Sequence, residues 1–104
     1  MCKVSVIIPN YNGKKYLKDC LDAMENQSFR DFEVLLVDNG SEDGSREYVE
    51  EAYPWVRLIT LSENTGFCGA VNQGIKKSSS PLVILLNNDT IAEKNFVEEL
   101  VKGM

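Results

Sequence analysis

Along the chain, apolar residues gather in four short runs, and between and after the runs they recur every three or four positions. The runs are Val4-Ser5-Val6-Ile7-Ile8, Phe32-Glu33-Val34-Leu35-Leu36-Val37, Val56-Arg57-Leu58-Ile59-Thr60-Leu61 and Leu82 to Leu86. They are rich in Val, Ile and Leu and bounded by turn residues, as strands of a parallel sheet read. The last run, five aliphatic residues in succession, is expected to be buried on both faces. The periodic stripes are Tyr16, Leu17, Cys20, Leu21 and Met24; Tyr48, Val49, Ala52 and Tyr53; Ala70, Val71, Gly74 and Ile75; and Phe96, Val97, Leu100 and Val101. Each predicts a helix lying on a sheet with its charged side outward. Ser41 and Asp43 are placed to cap the second helix, and Pro54 to end it. Strict alternation of strand and helix predicts an α/β fold: three layers, α/β/α, around a doubly wound, mostly parallel, Rossmann-like sheet in the order 3-2-1-4.

Composition narrows the function classes. A chain of 104 residues is one domain, 1–104, with 43% hydrophobic and 26% charged residues, ordinary for a globular protein. The net charge of −5, with basic residues scattered, excludes nucleic acid as partner and gives a membrane surface no purchase. No run is long enough for a transmembrane segment or a signal peptide. Cys2, Cys20 and Cys68 are odd in number and far apart, which suggests free thiols in a reducing, cytoplasmic setting. Histidine is absent, so Ser-His and Cys-His nucleophile pairs are excluded and any base must be a carboxylate.

The polar residues worth weighing sit at the carboxyl ends of the runs, where open α/β sheets bind ligands. In Pro9-Asn10-Tyr11-Asn12-Gly13, Tyr11 offers a flat face for a base, and Asn12 and Gly13 open a helix whose free N–H groups favour anions. The same residues also make an ordinary strand-to-helix turn. Asp38, closing the second run, is placed to accept a hydrogen bond from a nucleobase imide or a ribose hydroxyl, while Asn39 to Ser45 read as a turn and a cap. In the stretch Glu63 to Gly74, Gly66 and Gly69 permit close backbone approach as phosphate-cradling loops do, although Gly69 and Gly74 would equally let the helix sit close to the sheet. Cys68 there reads as a packed thiol. Asn87-Asn88-Asp89 sets one carboxylate among carbonyl oxygens, which suits Mg²⁺ or Mn²⁺ completed by phosphate and water; a turn with Asp89 or Thr90 capping the next helix is the plainer reading.

Taken together and in order, the motifs are far more specific. Ser5-Val6-Ile7-Ile8-Pro9-Asn10-Tyr11-Asn12, Val37-Asp38-Asn39-Gly40-Ser41 with Asp43-Gly44-Ser45, Asn64-Thr65-Gly66 with Asn72-Gln73-Gly74-Ile75, and Leu85-Leu86-Asn87-Asn88-Asp89 closely resemble the N-terminal, nucleotide-binding half of family 2 glycosyltransferases of the GT-A fold. Gly66-Phe67 and Leu86-Asn87-Asn88-Asp89-Thr90 look like the bacterial rhamnosyltransferase-like branch. The resemblance implies a UDP- or dTDP-sugar donor, a glycan or lipid-linked acceptor, inverting transfer and a place in cell-wall or polysaccharide biosynthesis, in the cytoplasm or at the inner face of the membrane. It puts Tyr11 against the uracil or thymine ring and Asp38 on its imide edge, with Pro9, Asn12, Asn39, Asn64, Gly66, Asn87 and Asn88 also at the nucleotide. Asp89 takes the metal-binding place of the family's DXD motif, holding a divalent cation, Mn²⁺ or Mg²⁺. Tyr11, Asp38 and Asp89 should then face one another across one crevice.

The chain departs from the family pattern at Asn87, the first DXD position, and at Val71, where many members carry Arg. The family's catalytic base is expected beyond Met104, in a larger enzyme. The alternative is a truncated or non-catalytic nucleotide-sugar-binding module, and an unfinished sheet edge would favour a homo-oligomer. A receiver-type domain would want an acidic residue after the third run, where Thr60-Leu61-Ser62 stands. A dinucleotide-dependent oxidoreductase would want glycines where Pro9 to Gly13 stands, and a nucleotidyltransferase a Gly- and Lys-rich first loop, for which only Gly13-Lys14-Lys15 speaks.

Overall fold

A computed structural model describes residues 2–103. Strands and helices alternate without exception: β1 (Val4–Asn10), α1 (Lys14–Glu25), β2 (Phe32–Asp38), α2 (Ser45–Ala52), β3 (Arg57–Thr60), α3 (Gly66–Lys77), β4 (Leu82–Leu85) and α4 (Phe96–Lys102). The strands form one parallel sheet in the order β3-β2-β1-β4, as the alternation predicts. From β1 the chain steps outward to β2 and β3, so right-handed crossovers set α1 and α2 on one face. The next step runs back past β2 and β1 to reach β4, and the same handedness sets α3 on the opposite face.

The two faces are unequally filled. On the first, Val4, Val6, Ile8, Val34, Leu36 and Ile84 pack beneath Leu17, Leu21 and Met24 of α1, Val49 of α2 and Val97 of α4. On the second, Ile7 and Val37 meet Ala70 of α3, with Ile59 and Leu61 at the margin. Here α3 lies directly on β1, because a Cβ at Gly74 would come within 2.6 Å of Ile7 Cγ2. Gly69 has a different neighbour: its absent Cβ would meet Thr65 Oγ1 at 2.5 Å, so it serves the start of α3 itself.

The fourth run is not buried on both faces. Val83 is 39% and Leu85 46% exposed, whereas Ile84 and Leu86 point into the first face. The reason is topological. β4 pairs with β1 alone and stands at the sheet's edge, while α3 covers β1 and β2 and leaves the second face of β4 bare. Ile75 and Leu100, counted in the helical stripes, are likewise exposed for want of a facing element.

The second helix is capped differently from the expectation. Gly44, in the left-handed region at φ 86, takes the N-cap position. Asp43 instead spans two helix starts: Oδ2 accepts from Lys14 N at 3.0 Å, and Oδ1 accepts from Ser45 N at 3.0 Å and from the Ser45 hydroxyl. Partial burial opposes ionisation of Asp43, but the hydrogen bonds from Ser45 and Lys14 outweigh it and hold the carboxyl below its ordinary pKa. A lowered folded-state pKa means stability present above the unfolded carboxylate value, about 3.9, and lost as pH falls through the folded value. Asp43→Asn is therefore expected to cost about 0.5–1 kcal/mol at pH 7, the low end for a side chain that accepts from helix-start N–H groups, since it is largely exposed, and almost nothing near pH 2. Urea melts of both proteins at the two pH values check this; an equal cost at both would be incompatible with the ionised clamp.

Candidate functional site

β1 runs alongside β2 as far as the pair Asn10–Asp38, but its pairing with β4 stops at Ile7–Leu85. One more bond, from Leu86 N to Ile7 O, closes the ladder, and a turn from Asn87 O to Thr90 N then carries the chain away. The two strands part where the winding of the sheet reverses. That is the position at which this architecture leaves a crevice beyond the strand ends. A cleft of about 330 Å³ lies there, lined by Pro9, Asn10, Tyr11, Asn39, Phe67, Asn87, Asn88 and Asp89.

Beneath the cleft is a polar network that holds its rim. Asn10, 2% exposed, accepts from Asn88 Nδ2 at 2.8 Å and donates to Asp38 Oδ1 at 3.1 Å and Ser41 Oγ at 3.4 Å. It thereby ties the ends of β1, β2 and β4 together. Gly13 makes room for this: a Cβ there would stand 2.2 Å from Asn88 Nδ2 and 2.6 Å from Asn10 Oδ1. Asp38 is fully buried, and its second oxygen accepts from Ser41 N at 3.0 Å. The carboxylate thus finds its partners inside the protein and does not line the cleft. Of Tyr11, Asp38 and Asp89, expected to face one another across one crevice, Tyr11 and Asp89 line this cleft and Asp38 lies beneath its floor.

Asn39, beside it, has every hydrogen-bonding position of its amide in use. Nδ2 donates to Asn64 Oδ1 at 2.9 Å and to Gly66 O at 3.0 Å, while Oδ1 accepts from Thr65 N at 2.8 Å and the Thr65 hydroxyl at 3.0 Å. Asn64 also receives Gly66 N at 2.8 Å, and Gly66 turns through φ 82 to start α3. Asn64 and Gly66, expected at the ligand, are therefore the far half of a staple that anchors the 64–66 loop to β2. Asn12, expected at the nucleotide, lies outside this cleft. With φ 50 it turns toward the next loop, giving its N–H to Ser41 Oγ and accepting from Glu42 N at 2.8 Å. It borders a separate hollow with Lys14, Lys15 and Lys18.

Two further residues, Asn10 and Phe67, line the cleft. The signal for Asn10 lay in the sheet register, which sets it opposite Asp38. Phe67 shares the spacing of Ala70, Val71 and Gly74 and so reads as core, yet it is 54% exposed because the first turn of α3 overhangs the strand ends. Asp89 precedes α4 by several residues, and Asn95 takes that helix's N-cap position, so neither Asp89 nor Thr90 is a helix cap.

The charge of the lining is lopsided: among the described residues Asp89 is its one ionisable carboxylate, and no Lys or Arg joins it. Behind Asn87, burial and then the nearby Asp89 charge push the Cys20 thiol up to about 11, so it stays protonated at neutral pH and is no nucleophile. Among the described residues, no cluster of three or more His, Cys, Asp or Glu side chains forms. Such a donor set cannot encase zinc, but it fits a hard divalent cation held by Asp89 and completed by phosphate oxygens and water.

One glycine fixes the loop geometry around this floor. Gly40 has φ 79, and a Cβ there would lie 2.8 Å from the Glu63 backbone. Gly40→Ala is expected to cost about 2–3 kcal/mol, since left-handed strain adds to a clash with backbone that cannot rotate away. A midpoint in urea unchanged from the parent protein would refute that.

A family model described as Glycosyl transferase family 2 matches residues 5–104. Glycosyltransferase GlyA of Streptococcus pneumoniae is 34% identical over 102 residues, covering 96% of this chain and 15% of GlyA. Among solved structures, S. aureus TarS 1-349 in complex with UDP superimposes with a TM-score of 0.86 at 28% identity, over 96% of this chain and 31% of that one. The mannosyltransferase PcManGT from Pyrobaculum calidifontis, in complex with GDP-Man and Mn²⁺, gives 0.75 at 28% identity, over 84% and 27%. The chain thus spans between 15% and 31% of the length of these relatives.

Proposed function

The chain belongs to glycosyltransferase family 2, and from that premise we propose that it is the donor-binding part of a larger enzyme moving a sugar from a UDP- or dTDP-sugar to a hydroxyl of a glycan or lipid-linked acceptor. The observation that carries this is the polarity of the cleft. Tyr11 and Phe67 supply flat apolar surface at one side, and Asn87 to Asp89 supply oxygen ligands at the other. A nucleoside diphosphate has the same polarity, a flat ring at one end and charge at the other. TarS with UDP and PcManGT with GDP-Man and Mn²⁺ support the reading, since both share this scaffold.

Each residue then has a task. Tyr11 stacks on the base, Pro9 shapes the slot, and Asn87 and Asn88 meet the ribose or diphosphate. Asn10 and Asp38 hold Asn88 in place from beneath. Because no Lys or Arg lines the cleft, the diphosphate's charge needs a cation brought with it, and Asp89 would hold Mn²⁺ or Mg²⁺ there. When bound, that ion neutralises charge developing on the departing diphosphate. With Asp89 so occupied, no second carboxylate in the lining remains to take the acceptor's proton. The base for inverting transfer is accordingly assigned to the remainder of the larger enzyme, which works in the cytoplasm or at the inner face of the membrane on a surface polysaccharide.

Calorimetric titration with UDP, with and without Mn²⁺, tests the binding function, and release of UDP from UDP-sugars tests turnover. Mn²⁺-dependent binding without transfer is the expected result for these 104 residues. Absence of any UDP binding would refute the proposal, and sugar transfer by this chain alone would refute the assignment of the base elsewhere.

A further inference from the structure

We infer that Phe67 is a second aromatic wall of the base subsite, so that the nucleobase is gripped between Phe67 and Tyr11 rather than read by hydrogen bonds from the Asn39 amide; this rests on the nucleotide-binding reading above. Ligand pockets are lined chiefly by apolar and aromatic side chains with a few polar groups to orient the ligand. Phe67 is 54% and Tyr11 49% exposed, and both line the same cleft, Tyr11 from the loop after β1 and Phe67 from the first turn of α3.

The topology says which end of the ligand Phe67 meets. α3 lies over β1 and β2, and its first residue is tied to the end of β2, where Gly66 O accepts from Asn39 Nδ2 at 3.0 Å. Phe67 thus enters the cleft beside Asn39, with Asn10 and Tyr11 of β1 between it and Asn87 to Asp89 at β4. Phe67 is therefore remote from the anionic end and adjacent to the part of the floor where a base would lie. That floor offers little for reading a base. The Asn39 amide spends all its positions on Asn64, Thr65 and Gly66, and the Asp38 carboxylate is buried. What Phe67 and Tyr11 engage is the faces of the ring, which every base possesses.

Calorimetry on the full chain tests this with three ligands in Mn²⁺: UDP, GDP and inorganic pyrophosphate. Phe67→Ala is expected to weaken UDP and GDP alike, by roughly 5- to 100-fold, the range for loss of one base–aromatic stack. It should leave pyrophosphate unchanged, because that ligand has no ring. Phe67→Trp should keep UDP affinity within about 3-fold, and its added indole emission should be quenched by UDP, since stacked aromatic faces remain. Unchanged UDP affinity in Phe67→Ala would overturn the inference while sparing the nucleotide-binding reading. Equal losses of UDP and pyrophosphate would overturn it too, by showing that Phe67 acts on the loop and not on a ring. A wild-type chain that binds neither nucleotide would overturn both.

Discussion

Asp89→Asn is expected to abolish the Mn²⁺-dependent part of UDP binding, lowering affinity at saturating metal by at least about 100-fold and leaving the weaker metal-free binding intact. The size of the effect follows from the bare charge balance of the cleft. Among the described residues Asp89 is the only charged side chain lining it, and no Lys or Arg stands by to take over when the cation is gone. An amide oxygen is a poor substitute for a carboxylate toward a hard dication. The fold should be untouched, because Asp89 is exposed and precedes α4 without capping it. Titration of wild type and variant with UDP across a Mn²⁺ series separates the two components. Loss of the metal-free component as well would mean that Asp89 shapes the cleft rather than holding the ion.

Asp38→Asn should behave in the opposite way, unfolding easily while binding almost normally where it is folded. Both carboxylate oxygens accept hydrogen bonds, from Asn10 Nδ2 and from Ser41 N. Asparagine has only one acceptor oxygen, so its NH₂ must face one of those donors at a fully buried position. Asn10 cannot turn its own amide over to compensate, since its oxygen already receives Asn88 Nδ2. A cost of about 2–3 kcal/mol is expected for the mismatched buried donors, seen as a drop in the urea midpoint of about 1–2 M. A stable variant with UDP affinity reduced tenfold or more would instead put the Asp38 carboxylate in contact with the nucleotide.

The contrast between these two acids shows what the sequence could and could not convey. The strand order, the side of the sheet taken by α3, and the gathering of Pro9, Tyr11, Asn39 and Asn87 to Asp89 at one crevice all follow from alternation and handedness, which are legible in the letters. A side chain's final direction is not. Asp38 ends a strand as a ligand-binding acid would, but the parallel register brings Asn10 beside it, and a buried carboxylate takes the nearest donors. Asn12 was lost to the cleft by a single backbone angle, φ 50, that no neighbouring residue announces. The five aliphatic residues of the fourth run looked like a central strand because hydrophobicity records what a surface will eventually meet, not which element meets it here.

The fully committed amide of Asn39 has a kinetic corollary. Because the 64–66 loop is already fastened to β2 before any ligand arrives, it does not have to settle after encounter. Stopped-flow mixing with UDP and Mn²⁺ should show one relaxation whose rate climbs linearly with nucleotide concentration and never levels off. Asn39→Ala would loosen that fastening, and a plateau in the observed rate should then appear as loop ordering becomes the slow step.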